Sequence, residues 1–175
     1  MHAIKVILTS AAALCLSLST YAADVTVKVN KVNEKGVAEE IGTIKFSDTD
    51  KGMSLTPSLK GLTAGVHGFH IHQNPDCGAK EKDGKMTAAL AAGGHYDPSK
   101  TEKHEGPHGK GHAGDLPGLD VAADGTASKV MAVPHLKVAD ILGRSVMIHE
   151  GGDNYSDQPK PLGGGGARVA CGVIK

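Results

Sequence analysis

Apolar positions recur along this chain mostly with a period of two. Val25, Val27 and Val29 alternate with Thr26, Lys28 and Asn30, the pattern of a strand with one face on a core and the other in water. Similar β-rich runs follow at 40–47, 53–60 and 66–73, then, after a long gap, at 117–122, 127–133, 145–149 and 168–174. Turn residues separate the runs, and "ADGT" at 123–126 predicts a hairpin between 117–122 and 127–133. "HLKVADILG" at 135–143 predicts a helical turn. Nothing repeats and no segment reads as an interdomain linker. About eight short strands with glycine-rich turns predict an all-β, antiparallel sandwich or barrel.

Two stretches break that rhythm. Residues 74–116 and 150–167 are rich in Gly, Pro, His and Asp and lack apolar periodicity. A structureless loop beyond about 12–15 residues counts against a compact domain unless something functional orders it. The first loop holds Cys77, His95, His104, His108, His112 and Asp115, so a disulfide and a metal are the expected ordering agents. The second, "GGDNYSDQPKPLGGGG", ends just before Arg168 and is expected to form one wall of a site.

The first residues change the picture of where the chain works. "MHAIKVILTSAAALCLSLSTYAAD" has a positive Lys5, an apolar run from Val6 to Leu18, and small residues at Thr20 and Ala22. That is the make-up of an export signal, with cleavage expected after Ala22. The run is shorter than the roughly 20 residues needed to span a bilayer. Cys15, preceded by Leu14 rather than a small residue, is expected to leave with the signal, as is His2. Residues 23–175 then form a single domain with room for a sizeable, mainly aliphatic core. Its 18 positive charges face 19 acidic ones, so no basic excess points to nucleic acid or a membrane as partner. Only Cys77 and Cys171 remain, and one intrachain pairing is available to them in an oxidising compartment. Two free thiols are the alternative.

The candidate chemistry lies in histidine. In "HGFHIHQNPDC" (67–77), a strand would turn His70 and His72 to one face and Ile71 to the other. Two ligands facing one ion, backed by a core residue, fit that geometry; so do two surface histidines flanking Ile71. His95 in "AGGHYDP", the series His104, His108, His112 with Asp115, and His149 at the end of "SVMIH" enlarge the set. Clustered imidazoles with one carboxylate suit zinc, or copper at the imidazole-rich positions. A low-specificity histidine tail fits poorly, because these residues occupy separated, unlike positions. The scarcity of Met argues against a thioether carrier of cuprous ion.

At these residues the chain resembles the bacterial exported copper/zinc superoxide dismutases. "GFHIHQNPDC", "AGGHYDP", "KHEGPHGKGHAGDLP", "MIHEGGDNYSDQPKPLGGGG" and "RVACGVIK" occur in the family's order over residues 66–175. The resemblance implies an eight-stranded antiparallel Greek-key sandwich or barrel with two long functional loops. It implies copper on His70, His72, His95 and His149, and zinc on His95, His104, His112 and Asp115, one ion of each kind, with His95 as the shared imidazolate. Asp153 matches the carboxylate that hydrogen-bonds a ligand from each site. Arg168 matches the anion-guiding arginine, three residues before Cys171, and Lys160 could add to its field. His108 is expected to face solvent, His67 to make structural hydrogen bonds, and His135 to have no special role.

The implied reaction is dismutation of superoxide, a small-molecule substrate, by cycling between cupric and cuprous ion in the periplasm. The family is commonly dimeric, with monomers in the bacterial branch, so a homodimer is possible. A non-enzymatic metal buffer would use the same histidines without needing Arg168. A structural or adhesive sandwich would use metals only to order its loops.

Overall fold

The computed structural model describes residues 23–175; the expected export signal at 1–22, with His2 and Cys15, lies outside them. In chain order the strands are β1 (Asp24–Asn33), β2 (Gly36–Thr49), β3 (Gly52–Leu59), β4 (Gly65–His67), β5 (Phe69–His72), β6 (Lys80–Lys82), β7 (Lys85–Thr87), β8 (Leu119–Val121), β9 (Met131–Val133), β10 (Arg144–His149) and β11 (Arg168–Ile174). Seven make one curled antiparallel sheet in the order β5-β10-β11-β1-β2-β3-β9, while β4 pairs with β8 and β6 with β7. The fold is all-β, as expected. Among the described residues no helix is long and apolar enough to cross a membrane.

All eight expected runs contain strand, but eleven strands result among the described residues. The run 66–73 breaks at Gly68 into β4 and β5, which lie in different sheets. Gly68 N donates to Gly151 O at 2.7 Å and Gly68 O accepts from His149 N at 2.9 Å, so its backbone bonds go to the end of β10 and the start of the second long loop. The hairpin β6–β7 adds two more strands inside the first loop. Its "KEKDGKMT" sequence has a turn dipeptide but, with residues that are almost all exposed, no apolar alternation to reveal it. The predicted 117–122/127–133 hairpin needs correction. Its turn forms, with Gly125 N donating to Ala122 O at 2.9 Å, yet β8 pairs with β4 and β9 with β3. The segment is a corner between sheets. The expected helical turn is present as α1 (Val138–Ile141), which buries Val138 and Ile141.

Alternation accounts for the core. Val27 and Val29 of β1, Ile44 and Phe46 of β2, Leu55 of β3, Phe69 and Ile71 of β5, and Val146 and Ile148 of β10 belong to one buried cluster. Burying such side chains is worth about 1.5–3 kcal/mol each. On β10 the opposite face carries Ser145, Met147 and His149, with Met147 paired to His70 and Ser145 to His72 in the neighbouring β5. That face would be open to water if the first long loop did not cover it.

A disulfide between Cys77 and Cys171 fixes the cover, joining residues 94 positions apart. Val32, Ala89, Ala92 and Met147 pack with the two cysteines in a second buried cluster. Closing a loop this long removes entropy from the unfolded chain. Replacing both cysteines by serine should lower unfolding free energy by about 2–5 kcal/mol in denaturant titration. An unchanged midpoint would mean that the cover is held without the bond.

Candidate metal centre

Strand β5 is the anchor of the site. On one side it pairs with β10; on the other, two pieces of the first loop are laid against it. Ile71 N donates to Gly114 O and Tyr96 N donates to Ile71 O, each at 2.8 Å, and Leu116 N donates to Phe69 O at 3.2 Å. The pairings set His72 opposite His95 and His70 opposite Asp115. Glycine is required at 114, because a Cβ there would collide with Ile71 O. Far-separated residues thus meet as neighbours on an extended ribbon.

Two donor groups result. One candidate ligand atom from each of His70, His72, His95 and His149 lies within 4.8 Å of the others, and the same holds for His70, His95, His104 and Asp115. All these residues are buried. His70 and His95 belong to both groups, but His70 Nε2 is taken by Asp153 Oδ2 at 2.7 Å. One nitrogen remains to it, so it serves one ion. His112, expected in the second group, lies at its edge, with Nδ1 3.5 Å from Asp115 Oδ1.

The polar atoms test whether metal ions fit. Among the described residues six imidazole nitrogens are buried without a well-directed hydrogen bond: His70 Nδ1, His72 Nε2, His95 Nε2, His104 Nδ1, His112 Nδ1 and His149 Nε2. A buried unpartnered polar atom costs about 1–3 kcal/mol, and natural folds tolerate few. On most of these rings the other nitrogen is engaged. His72 Nδ1 donates to Gly93 O at 2.9 Å and His149 Nδ1 faces Gly166 O at 3.3 Å. Around Asp115, His95 Nδ1 and His104 Nδ1 each lie 2.9 Å from a carboxylate oxygen. Together with the His112 distance these bracket the edge of about 3.3 Å of a tetrahedron whose bonds are about 2.0–2.1 Å. The donor sets fit metal ions.

The second long loop locks the rings. Asp153, whose side chain is 1% exposed, accepts His70 Nε2 on one oxygen and His104 Nε2 on the other, each at 2.7 Å. One carboxylate therefore orients a ring from each group. Gly163, at φ +72°, allows this approach, since a Cβ there would strike Asp153 Oδ1. Arg168 stands across the β10–β11 ladder from His149. Its Nη1 donates to Ala89 O at 2.6 Å and its Nη2 to Gly93 O at 2.7 Å, so the guanidinium is fixed beside the first group. Gly93 O also accepts from His72, which ties that ring and Arg168 to one carbonyl.

Burial dominates the electrostatics. It pushes His70 down to about 3 and His149 down to about 4, and depresses His72 and His95 as well. Neutral imidazole is the form that binds metal. At His104 burial acts in the same direction, but the carboxylates of Asp115 and Asp153 outweigh it and raise the ring to about 9. Those two carboxyls are themselves held well below their usual range by His104 and its neighbours despite burial.

The remaining histidines of the described residues lie outside both donor groups. His108 is exposed. The ring nitrogens of His67 lie 2.6 Å from His149 O and 2.8 Å from Thr63 O, bracing the backbone of a donor residue. His135 is exposed but donates to Ala113 O at 3.0 Å, a tether to the segment of His112 and Asp115 that sequence reasoning missed. It also missed Asp157 and Tyr155. Asp157 Oδ2 accepts His104 N and Tyr155 Oη accepts Gly118 N, each at 2.9 Å. The only trace of them in the sequence is the polar stretch "DNYSD".

Comparisons with known proteins agree with this geometry. Residues 40–174 match the family model described as copper/zinc superoxide dismutase. The chain is 52% identical over 161 residues to superoxide dismutase [Cu-Zn] of Brucella abortus, covering 91% of this chain and 93% of that one. It is 52% identical over 164 residues to the Escherichia coli K12 protein of the same name, covering 93% and 95%. Its fold is similar to the Cu/Zn superoxide dismutase structure from Brucella abortus, with TM-score 0.86 and 53% identity over 87% of this chain and all of that one. The solution structure of the monomeric copper, zinc superoxide dismutase from Salmonella enterica gives TM-score 0.80 and 54% identity, covering 87% of this chain and 100% of that one.

Metal-free protein should carry a pH signature of the buried rings. Unfolded, each titrates near 6.5, whereas folded His70 and His149 stay neutral until about 3 and about 4. The unfolded chain then binds protons that the fold refuses, so stability falls as pH drops from about 6.5 toward 4. His104 has the opposite sign: its contribution is complete below 6.5 and is lost as pH climbs through about 9. The melting temperature of chelator-treated protein is expected to fall on both sides of about 6.5, and His104→Gln to remove the alkaline fall. A flat profile would contradict the burial of these rings.

Proposed function

The chain belongs to the copper/zinc superoxide dismutase family, and we propose how its own residues serve that chemistry. Superoxide is the family's substrate, and copper and zinc are its cofactors. His70, His72, His95 and His149 hold copper; His95, His104, His112 and Asp115 hold zinc. The observation that carries this division is that, among the buried donors, His72 and His149 fall only in the first group and His104 and Asp115 only in the second. When bound, copper supplies one-electron exchange with superoxide and zinc supplies a fixed charge that does not change redox state. The net reaction turns two superoxide ions and two protons into dioxygen and hydrogen peroxide.

His95 belongs to both groups, with Nδ1 beside Asp115 and Nε2 unpartnered. Its ring would help to hold both ions, and the buried, unpartnered Nε2 would be the atom that holds and gives up a proton. Asp153 engages the Nε2 atoms of His70 and His104, which fixes both rings and would leave their Nδ1 atoms to hold metal. Arg168 keeps a permanent charge and spare N–H donors for a small anion. Exposed Lys160 in the second loop adds to the attracting field. The signal at residues 1–22 sends the domain at 23–175 to the periplasm, where the disulfide persists.

Anomalous diffraction at the copper and zinc edges, together with pulse radiolysis at defined metal loading, tests the division. It fails if the two ions do not flank the His95 ring, or if the fully loaded protein leaves superoxide decay unaccelerated. Arg168→Glu should retain both metals and lower the rate constant by at least tenfold, with a weaker salt dependence. Steering of this kind, long described for superoxide dismutases themselves, is worth about 10–10³ in rate and fades with ionic strength. An unaltered rate would remove Arg168 from the reaction. Mass spectrometry of the periplasmic fraction should find a mature chain starting at Ala23.

A further inference from the structure

We propose that Asp157 is a positioning residue for zinc: it holds His104 by its backbone and makes docking of the 150–167 loop and retention of the ion one event. The inference rests on the reading of His104 as a zinc ligand.

His104 is held at two ends by one loop. Its ring Nε2 donates to Asp153 Oδ1 at 2.7 Å, and its main-chain N donates to Asp157 Oδ2 at 2.9 Å. A ring anchored at one nitrogen can still swing with its main chain. Fixing the amide as well leaves only the side-chain torsions free, and the ring anchor sets those. Together the two bonds decide where Nδ1 points.

The second oxygen of Asp157 faces its own loop, accepting Leu162 N at 3.2 Å. The carboxylate is thus a clasp between the loop and the zinc ligand. Tyr155, between the two aspartates, reinforces it: its hydroxyl accepts Gly118 N at 2.9 Å, and its side chain packs so closely on Gly106 that a Cβ there would come within 2.6 Å of it. The residues between them turn inward instead, with Asn154 Nδ2 donating to Gln158 O at 2.9 Å and Ser156 N donating to Asn154 Oδ1 at 3.0 Å. One five-residue stretch therefore carries three attachments to the 104–118 segment. Hydrogen bonds from an amide to a carboxylate are among the stronger kind. Any coupling they create is reciprocal: zinc favours the docked loop by the factor with which the docked loop favours zinc. Lys160, three residues beyond the clasp, is placed by the same docking.

Zinc release from the fully metallated protein into excess chelator tests the clasp. The same variants are examined by the visible spectrum of cobalt substituted at the zinc site and by amide exchange of residues 150–167. Asp157→Ala should release zinc about tenfold faster, in the range seen when groups supporting metal ligands are removed. Its cobalt bands should change and amide exchange in the loop should quicken. Asp157→Asn, similar in shape with one acceptor oxygen, should shift all three in the same direction should the alanine variant fold poorly. Asp157→Glu should restore them in part. Asp124→Ala, which removes the exposed turn carboxylate that accepts Thr126 N at 3.0 Å, should match the parent and control for loss of a loop carboxylate. Parent-like zinc release and cobalt bands in Asp157→Ala would overturn the clasp. Zinc retention that survives His104→Ala would instead overturn the ligand reading, and the inference with it.

Discussion

Six imidazole nitrogens buried without a well-directed hydrogen bond set the terms for the rest of this structure. Each costs about 1–3 kcal/mol if nothing meets it, and burial pushes the rings of His70, His72, His95 and His149 away from the proton that would otherwise compensate. Such an arrangement persists only if a scaffold stable without it forces the rings together and metal ions later supply the missing partners. The surroundings can be understood as means of keeping these ring nitrogens aimed inward.

The scaffold does this by using both faces of one short strand. Phe69 and Ile71 sit in the aliphatic core, while His70 and His72 face the opposite way toward the loops. The core therefore fixes the height and pitch of the donors. The loop pieces carrying His95 and Asp115 are bonded to β5 as though they were strands, which gives loop residues the precision of a sheet. The disulfide secures the cover over this face at its far end, and its buried cluster includes Ala89, whose carbonyl receives Arg168. The disulfide cluster and the seat of the Arg168 guanidinium thus share Ala89.

The second long loop contributes orientation rather than ligands. Asp153 turns one ring of each group, Asp157 holds a backbone amide, and Arg168 follows at the loop's end. Metal ligands that hydrogen-bond outward are more basic and better oriented than free ones. Here the outward bonds of His70 and His104 come from the same loop that carries Lys160 toward solvent.

Much of this was legible in the sequence. Period-two alternation located all eight expected runs and the aliphatic core, because the two faces of a half-buried strand leave their mark on neighbouring residues. The metal chemistry of the histidines and the single cysteine pairing were also readable, since residue type restricts both. What the sequence could not disclose depends on contacts across long separations: the break at Gly68, the parting of the two expected hairpin strands, the tether from His135 and the clasp at Asp157. A main-chain bond to a residue 53 positions away leaves no periodic trace, because any short polar side chain would look the same on a solvated loop. The chain by itself determined which atoms could bind metal. Only the tertiary structure decided which nitrogen of each ring stays free, because the partner of the other nitrogen comes from elsewhere in the fold.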